Sequence, residues 1–441
     1  MNELFKIPVP REIPLPLPLP YGVLVVLLIF SFLLHILFIN LMLGGSVLTL
    51  WYEIKGLRKK GYDMLALEIA KTITVNKSIA IVLGVAPLLS INVLYTVYFY
   101  SANTLTGLMW ISVIPWVAVS FILLYTHKYT WHKLENNKPL HIFLLIIAVA
   151  SFLFIPLIFL ANINLMLFPE KWGTIKGFFS ALTLPNVFPR YFHFITASLA
   201  VTGLFLFGYF GQKKYRFEEK FSDLTRYEVR KKAYSLTLGA SIIQLIFGPI
   251  VYLTLPTKGM SWNLFYFISA GVIVAVFAIY IMWKEVTGPE EKIGRRFGLV
   301  VTALAITIVM MATGRHIYRA TALAPHQKLM AERTARHLEL VEKIRSGEIT
   351  ITSEEPEISA GHRLFKENCT VCHRFDTRLV GPPVKEMIGI YKDNIPGFKA
   401  WVRKPGKKRS DYPAMTGFPG LSDEQLTQLA HYIYSELAVK D

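Results

Sequence analysis

Eight apolar runs, each long enough to cross a bilayer, set the terms for this chain of 441 residues. They lie near 22–50, 78–100, 105–126, 139–161, 191–211, 234–255, 263–283 and 297–314. About 20 consecutive apolar residues cross the hydrocarbon core as one helix. Helices and closed barrels alone satisfy their backbone polar groups inside it. With 53% hydrophobic and only 17% charged residues, the chain is too apolar for a soluble protein of this length. The first run is too long for a signal peptide and lacks a small-residue cleavage pattern, so cleavage is not expected. Ahead of it, the proline-rich stretch Pro8 to Pro20 predicts an extended arm over residues 1–20.

After the eighth run the composition changes, and both cysteines stand in one motif, Cys369-Thr-Val-Cys372-His373. Two thiols spaced this way can add across the two vinyl groups of a haem, and the following histidine is then held under the iron. A redox-active dithiol leaves His373 without a role, and a zinc site needs a second Cys/His pair that the chain lacks. The motif therefore predicts one covalent haem c on Cys369 and Cys372, with His373 as an iron ligand. Downstream, Ser422 caps an amphipathic helix with Leu426, Leu429, Ile433 and Leu437 at helical spacing. Before it, a Pro/Gly-punctuated loop carries the thioether of Met415.

Residues 355–441 resemble a class I c-type cytochrome domain on these features. Gly361 and Phe365 match the family's first helix, Tyr432 its last, and Gly381-Pro382-Pro383 its G-P element. The resemblance implies that His373 and Met415 are the axial ligands and that the Pro382 carbonyl orients His373. Met387 lies in a helix-like stretch and is expected in the core. With both axial positions filled, such a domain passes electrons and does not bind oxygen.

Haem attachment takes place on the periplasmic side in bacteria, so residues 315–441 are expected there, and eight spans then place the N-terminus there too. In that topology the four inner loops hold 21 Lys and Arg, against 6 in the N-terminal arm and outer loops. This is the asymmetry of the positive-inside rule. The expected location is a bacterial inner membrane, multi-pass. Much of the net charge of +17 then marks orientation in the bilayer and gives no indication of nucleic acid.

Histidines at membrane depth are costly and are functional candidates. His35 precedes the inner-side Lys55 by twenty residues, and His193 precedes Lys213 by twenty. At 1.5 Å rise per residue both sit roughly 30 Å from the inner boundary, near the outer face, the side on which the c-type haem is expected. His127, His132 and His141 fall at the inner boundary, where interfacial histidines commonly have no special role. The stretches around His35 (Leu34 to Gly45), around His193 (Pro189 to Gly203) and at Gly314-Arg315 resemble the first, fifth and last helices of the cytochrome bd quinol oxidase large subunit. The resemblance spans roughly residues 20–320 and implies b-type haem ligation by His35 and His193. The departures are specific. The third span contains no acid, only about Leu255 to Trp262 is available for a quinol loop, and the helix after it offers no methionine near its start. Met282, Met310, Met311 and His316 are alternative sixth ligands.

These readings predict an all-α protein: a polytopic membrane bundle of about eight transmembrane helices over 21–314, a helical tether over 315–356, and a small all-α cytochrome c domain over 357–441. His326 and His337 are expected on the solvent side of the tether. Arg315 and Arg319 are candidates for haem propionates or for interfacial anchoring. The basic run Arg403 to Arg409 suggests a rim that attracts an acidic redox protein. The expected function is electron carriage in a respiratory chain between a quinol or b-haem donor and a periplasmic acceptor. Whether the chain is a carrier or a subunit of a quinol:cytochrome c type oxidoreductase stays open. A second reading makes the membrane domain a non-redox anchor or a subunit within a larger respiratory complex. A third, a bd-type oxygen reductase, is disfavoured by the missing glutamates and short loop.

Overall fold

The structure is a computed structural model that describes residues 17–75, 77–346, 359–391 and 394–436. Residues 1–16 of the proline-rich arm, 347–356 of the expected tether and Leu437 lie outside the described residues. Among the described residues there are helices and no strands. The chain separates into two compact units, Met1–Leu338 and Glu339–Asp441.

In the first unit α1 (Tyr21–Gly56) runs 36 residues, about 54 Å at 1.5 Å per residue. The chain then doubles back through α2 (Lys60–Val75) and α3 (Lys77–Leu94). Both pack antiparallel on α1: Gly56 abuts Asp63, Gly45 abuts Ile73, and Gly84 abuts His35. The run expected as one straight span over 78–100 is broken at Tyr95. There α4 (Thr96–Thr106) departs at 111° from the preceding helix. No proline or glycine marks the break; Tyr95, Tyr98 and Phe99 turn into an apolar cluster with Ile158, Trp172 and Leu323. Next come α5 (Leu108–Ile111), α6 (Val113–Tyr129), α7 (Lys138–Leu165), the short α8 (Phe178–Leu182), α9 (Val187–Gly211) and the short α10 (Phe217–Lys220). The unit ends with α11 (Arg226–Leu253), α12 (Trp262–Val286) and α13 (Phe297–Arg345). Seven of these helices, or eight if the bent pair is one span, are long and apolar enough to cross a membrane. Large apolar side chains point outward along them, Ile114, Leu253 and Trp262 each more than 70% exposed. That is the surface of a protein whose solvent is lipid.

Close helix contact at small residues sets the seams. A Cβ on Gly44 of α1 would strike Thr202 and Ser198 of α9. Ser198 Oγ donates to Asn40 Oδ1 (2.9 Å) and Thr202 Oγ1 to the Asn40 carbonyl (3.1 Å). Beyond this polar seam the apolar core divides by end. One cluster gathers Tyr95, Tyr98, Trp172 and Tyr318; the other gathers Leu48, Phe207, Phe210, Tyr234 and Met282. The second lies at the basic end, where the lysine-rich loops meet and Gly61 N donates to Asp223 (3.0 Å).

Helix α13 does not stop where the last apolar run ends. It continues unbroken to Arg345, and Tyr318, Ala322, Leu323, His326 and Met330 are buried on one face. His326, expected to face solvent, is 3% exposed and bonded at Nδ1 to Tyr98 Oη (2.9 Å) beside Trp172. The spacing 318, 322, 326, 330 is a helical stripe that the surrounding charges obscure. His337, in contrast, is exposed.

In the second unit α14 (Ala360–Asn368) crosses α17 (Asp423–His431), with α15 (Val384–Tyr391) and α16 (Ile395–Arg403) beside them. Ser359 caps α14, and Ser422 forms a capping box with Gln425 at the start of α17. The crossing needs glycine at 361, where a Cβ would strike the Gln428 carbonyl and lie 2.7 Å from Tyr432 Cβ. His362 stacks on Tyr432 at 4.7 Å between ring centroids. Phe365, Leu426, Leu429 and Ile433 fill the core beneath.

Candidate haem sites

In the second unit α14 delivers the chain directly into Cys369, whose N–H bonds the Phe365 carbonyl (2.8 Å). A tight turn follows, Cys372 N and His373 N both donating to the Cys369 carbonyl (3.1 and 2.9 Å). Both thiols are free. Burial, and then the neighbouring Cys372, push the Cys369 thiol up to about 11.

His373 is 8% exposed. Its Nδ1 lies 2.8 Å from the Pro382 carbonyl; a carbonyl only accepts, so Nδ1 carries the proton and Nε2 keeps its lone pair for a metal. Such a second bond fixes the ring and raises its basicity as a ligand. Gly381 makes the approach possible: a Cβ there would lie 2.9 Å from Nε2. Gly381 N is itself pinned to the Cys372 carbonyl (2.7 Å). Beside the imidazole lies an open depression of about 480 Å³ lined by Phe365, Thr370, Arg374, Phe375, Asp376 and Thr377. Two thiols and a tautomer-fixed imidazole beside an open depression with Phe365 and Phe375 in its lining fit a haem joined through Cys369 and Cys372.

Met387 packs on the core from α15, as expected of a structural methionine. Met415 sits half-buried on the non-helical stretch between α16 and α17. That stretch is anchored by Phe418 N to the Val402 carbonyl (2.9 Å) and by Arg378 to the Asp411 carbonyl (2.5 Å). The basic run is less free than its sequence suggests. Arg403 pairs with Asp423 (3.0 Å), Arg409 with Glu386 and Asp411 (2.9 and 2.8 Å), and Lys408 lies 4.6 Å over Trp401.

In the membrane unit His35 and His193 stand at one level, because the Asn40–Ser198 bond fixes an offset of 158 residues between two parallel helices. Each lies five residues before that seam, about 140° round its helix, which puts the two imidazoles on opposite sides of it. His35 fits against α3, where a Cβ on Gly84 would be 2.8 Å from its Cε1. The Nδ1 of His193 is buried without a hydrogen-bond partner.

Above His193, at the same end of the bundle, three arginines converge from α9 and α13. Arg315 feels the charges of both Arg190 and Arg319. Arg315 lies 5.2 Å over Phe32, and Arg319, 6% exposed, lies 5.2 Å over Tyr95. Arg190 Nη1 is buried without a partner. Among the described residues no carboxylate pairs with any of the three. Burying unpaired charge is expensive, so this end suits an anionic group such as a propionate. Of the alternative sixth ligands, Met282 is buried in the core at the other end, whereas Met311 faces Gly271 of α12 and His316 adjoins Tyr95 and Tyr21. Sequence reasoning also passed over His127 and His141, which the fold brings together on Glu53.

Residues 358–436 match the family model for cytochrome c. No curated protein matches the chain. Among solved structures, the bd oxidase from Geobacillus thermodenitrificans aligns with a TM-score of 0.55 at 14% identity, covering 68% of this chain and 87% of that one. The C-terminal segment is thus a cytochrome c domain, which brings a covalent haem c and makes the chain a haem-based electron carrier. The membrane unit shares the fold of that oxidase.

Proposed function

We propose that this carrier moves single electrons in a respiratory chain, between a quinol or b-haem donor on the membrane side and a soluble acceptor at the periplasmic face of a bacterial inner membrane. The observation that supports it most is the pairing of a complete cytochrome c attachment site with a bundle end that gathers His193 and three unneutralised guanidiniums. The bound haem supplies a one-electron iron couple. The protein's part would be to hold it and to tune it: Cys369 and Cys372 would tether it, His373, locked by Pro382, would ligate the iron, and Met415 would supply the second protein ligand. A His/Met set raises the potential relative to two histidines.

In the membrane unit His193 and, on the other side of the seam, His35 would hold b-type haem. Arg190, Arg315 and Arg319 would neutralise its propionates. At the surface of the cytochrome, Lys404 and Lys407 together with the paired arginines attract an acidic redox partner, in a salt-dependent way. Mixing the purified protein anaerobically with a short-chain quinol should reduce the c haem in a reaction that His193→Ala slows at least tenfold. Reduction by ascorbate but not by quinol would favour the anchor reading instead. Steady oxygen consumption would favour the oxidase reading, against which stands the absence of any acid in α5 and α6.

A further inference from the structure

Glu53 near the end of α1, His127 near the end of α6 and His141 in the first turns of α7 meet at the basic end of the membrane unit. They are 0%, 1% and 0% exposed. His127 Nε2 is 2.7 Å from Glu53 Oε2, and His141 Nδ1 abuts Glu53 Oε1. One ligand atom from each lies within 4.8 Å of the others. The second nitrogen of His141 decides the chemistry. Nε2 is 2.7 Å from the His127 carbonyl, which can only accept, so Nε2 holds the ring's proton. In the neutral ring Nδ1 is then a lone pair aimed at a carboxylate. Two acceptors face each other only with a cation between them, either an additional proton or a metal ion.

The surroundings favour the metal. An imidazole whose far N–H is tied to a backbone carbonyl is the usual state of a metal-ligating histidine. The Trp131 ring packs edge-on against both imidazoles, at 5.1 and 4.9 Å between centroids, and shields them from water. Lys138 is the cation nearest the cluster, and it is committed to Asp63 at 2.7 Å, against 3.5 Å to Glu53. Two imidazoles and one carboxylate are a ligand set for first-row divalent ions.

We propose that Glu53, His127 and His141 bind one divalent transition-metal ion that ties α1, α6 and α7 together. This site is independent of the electron-transfer reading. On binding, the ion takes the place of the proton shared by His141 and Glu53, which is released, while the His127 proton moves to Nδ1. Zn²⁺ is the probe.

The full-length, tag-free protein should be chelator-stripped, loaded with Zn²⁺ and desalted, then assayed by elemental analysis with haem iron subtracted. One equivalent of zinc per chain is expected, falling at least tenfold in His127→Ala/His141→Ala. Zinc K-edge absorption of the wild type should show two imidazoles among light-atom ligands, a readout that holds even if the variant misfolds. Failure of the wild type to retain zinc would overturn the proposal and leave a proton-bridged network. Retention of zinc by a folded variant, or an edge spectrum without imidazole, would overturn it as well.

Discussion

The two ends of the membrane unit treat buried charge in opposite ways. At the basic end the buried acids are oversupplied with donors. Glu68 receives Lys71, Lys220 and Tyr215, Glu285 receives Tyr234 and the backbone N–H groups of Gly294 and Arg296, and Glu53 faces two histidines across the cation proposed above. At the other end Arg190, Arg315 and Arg319 crowd together, Arg315 and Arg319 over aromatic faces, with no carboxylate paired to them among the described residues. One end is complete as a polypeptide, save for the cation at Glu53. The other leaves its guanidiniums without an anion among the described residues. This contrast is what motivates the proposal that the arginine end takes a cofactor.

Substitutions can break the contrast. The largest effect is expected from Glu53→Ala, which leaves two buried imidazoles facing nothing; losing one partner of a buried pair costs roughly 3–5 kcal/mol. A clear fall in melting temperature, with the c-haem spectrum intact, would show it. Arg190→Gln should behave differently. It relieves repulsion among the three guanidiniums, so the haem-stripped membrane unit should lose no stability. Retention of b haem on detergent washing should nonetheless fall about tenfold, the equivalent of one charge-assisted contact of about 1.4 kcal/mol. Equal destabilisation by the two substitutions would erase the distinction.

A smaller effect serves as a reference outside both ends. Bonds from Lys399 and Arg403 hold the exposed Asp423 carboxyl below its usual range. A depressed folded pKa contributes stability above the ordinary value, and that contribution is lost as pH falls through the depressed one. Asp423→Asn should therefore be slightly less stable than the wild type near neutrality, by a margin that closes as pH falls below about 4.

How much of this was legible in the sequence follows from how local each feature is. Haem attachment compresses its chemistry into Cys369, Cys372 and His373, so the motif announced itself, and the Pro382 carbonyl lies only nine residues on. Helix positions followed from hydropathy. The break at Tyr95 did not, because no local helix breaker stands there; Tyr95 packs in a cluster with Trp172 and Leu323 that only the fold assembles. The Glu53 cluster joins residues 74 and 88 positions apart, and only the fold puts them in contact. His35 and His193 were matched in depth by counting, and the Asn40–Ser198 bond gives the same register. Which face each imidazole takes needed the seam itself.

The central claim is that the arginine end holds haem which communicates with the cytochrome. It is tested most directly by pyridine haemochrome quantitation of the purified full-length protein and of His193→Ala. The account predicts one c haem and at least one b haem per polypeptide, with the variant keeping the c haem and losing b haem. One c haem and no b haem in the wild type would contradict it and leave the membrane unit as an anchor.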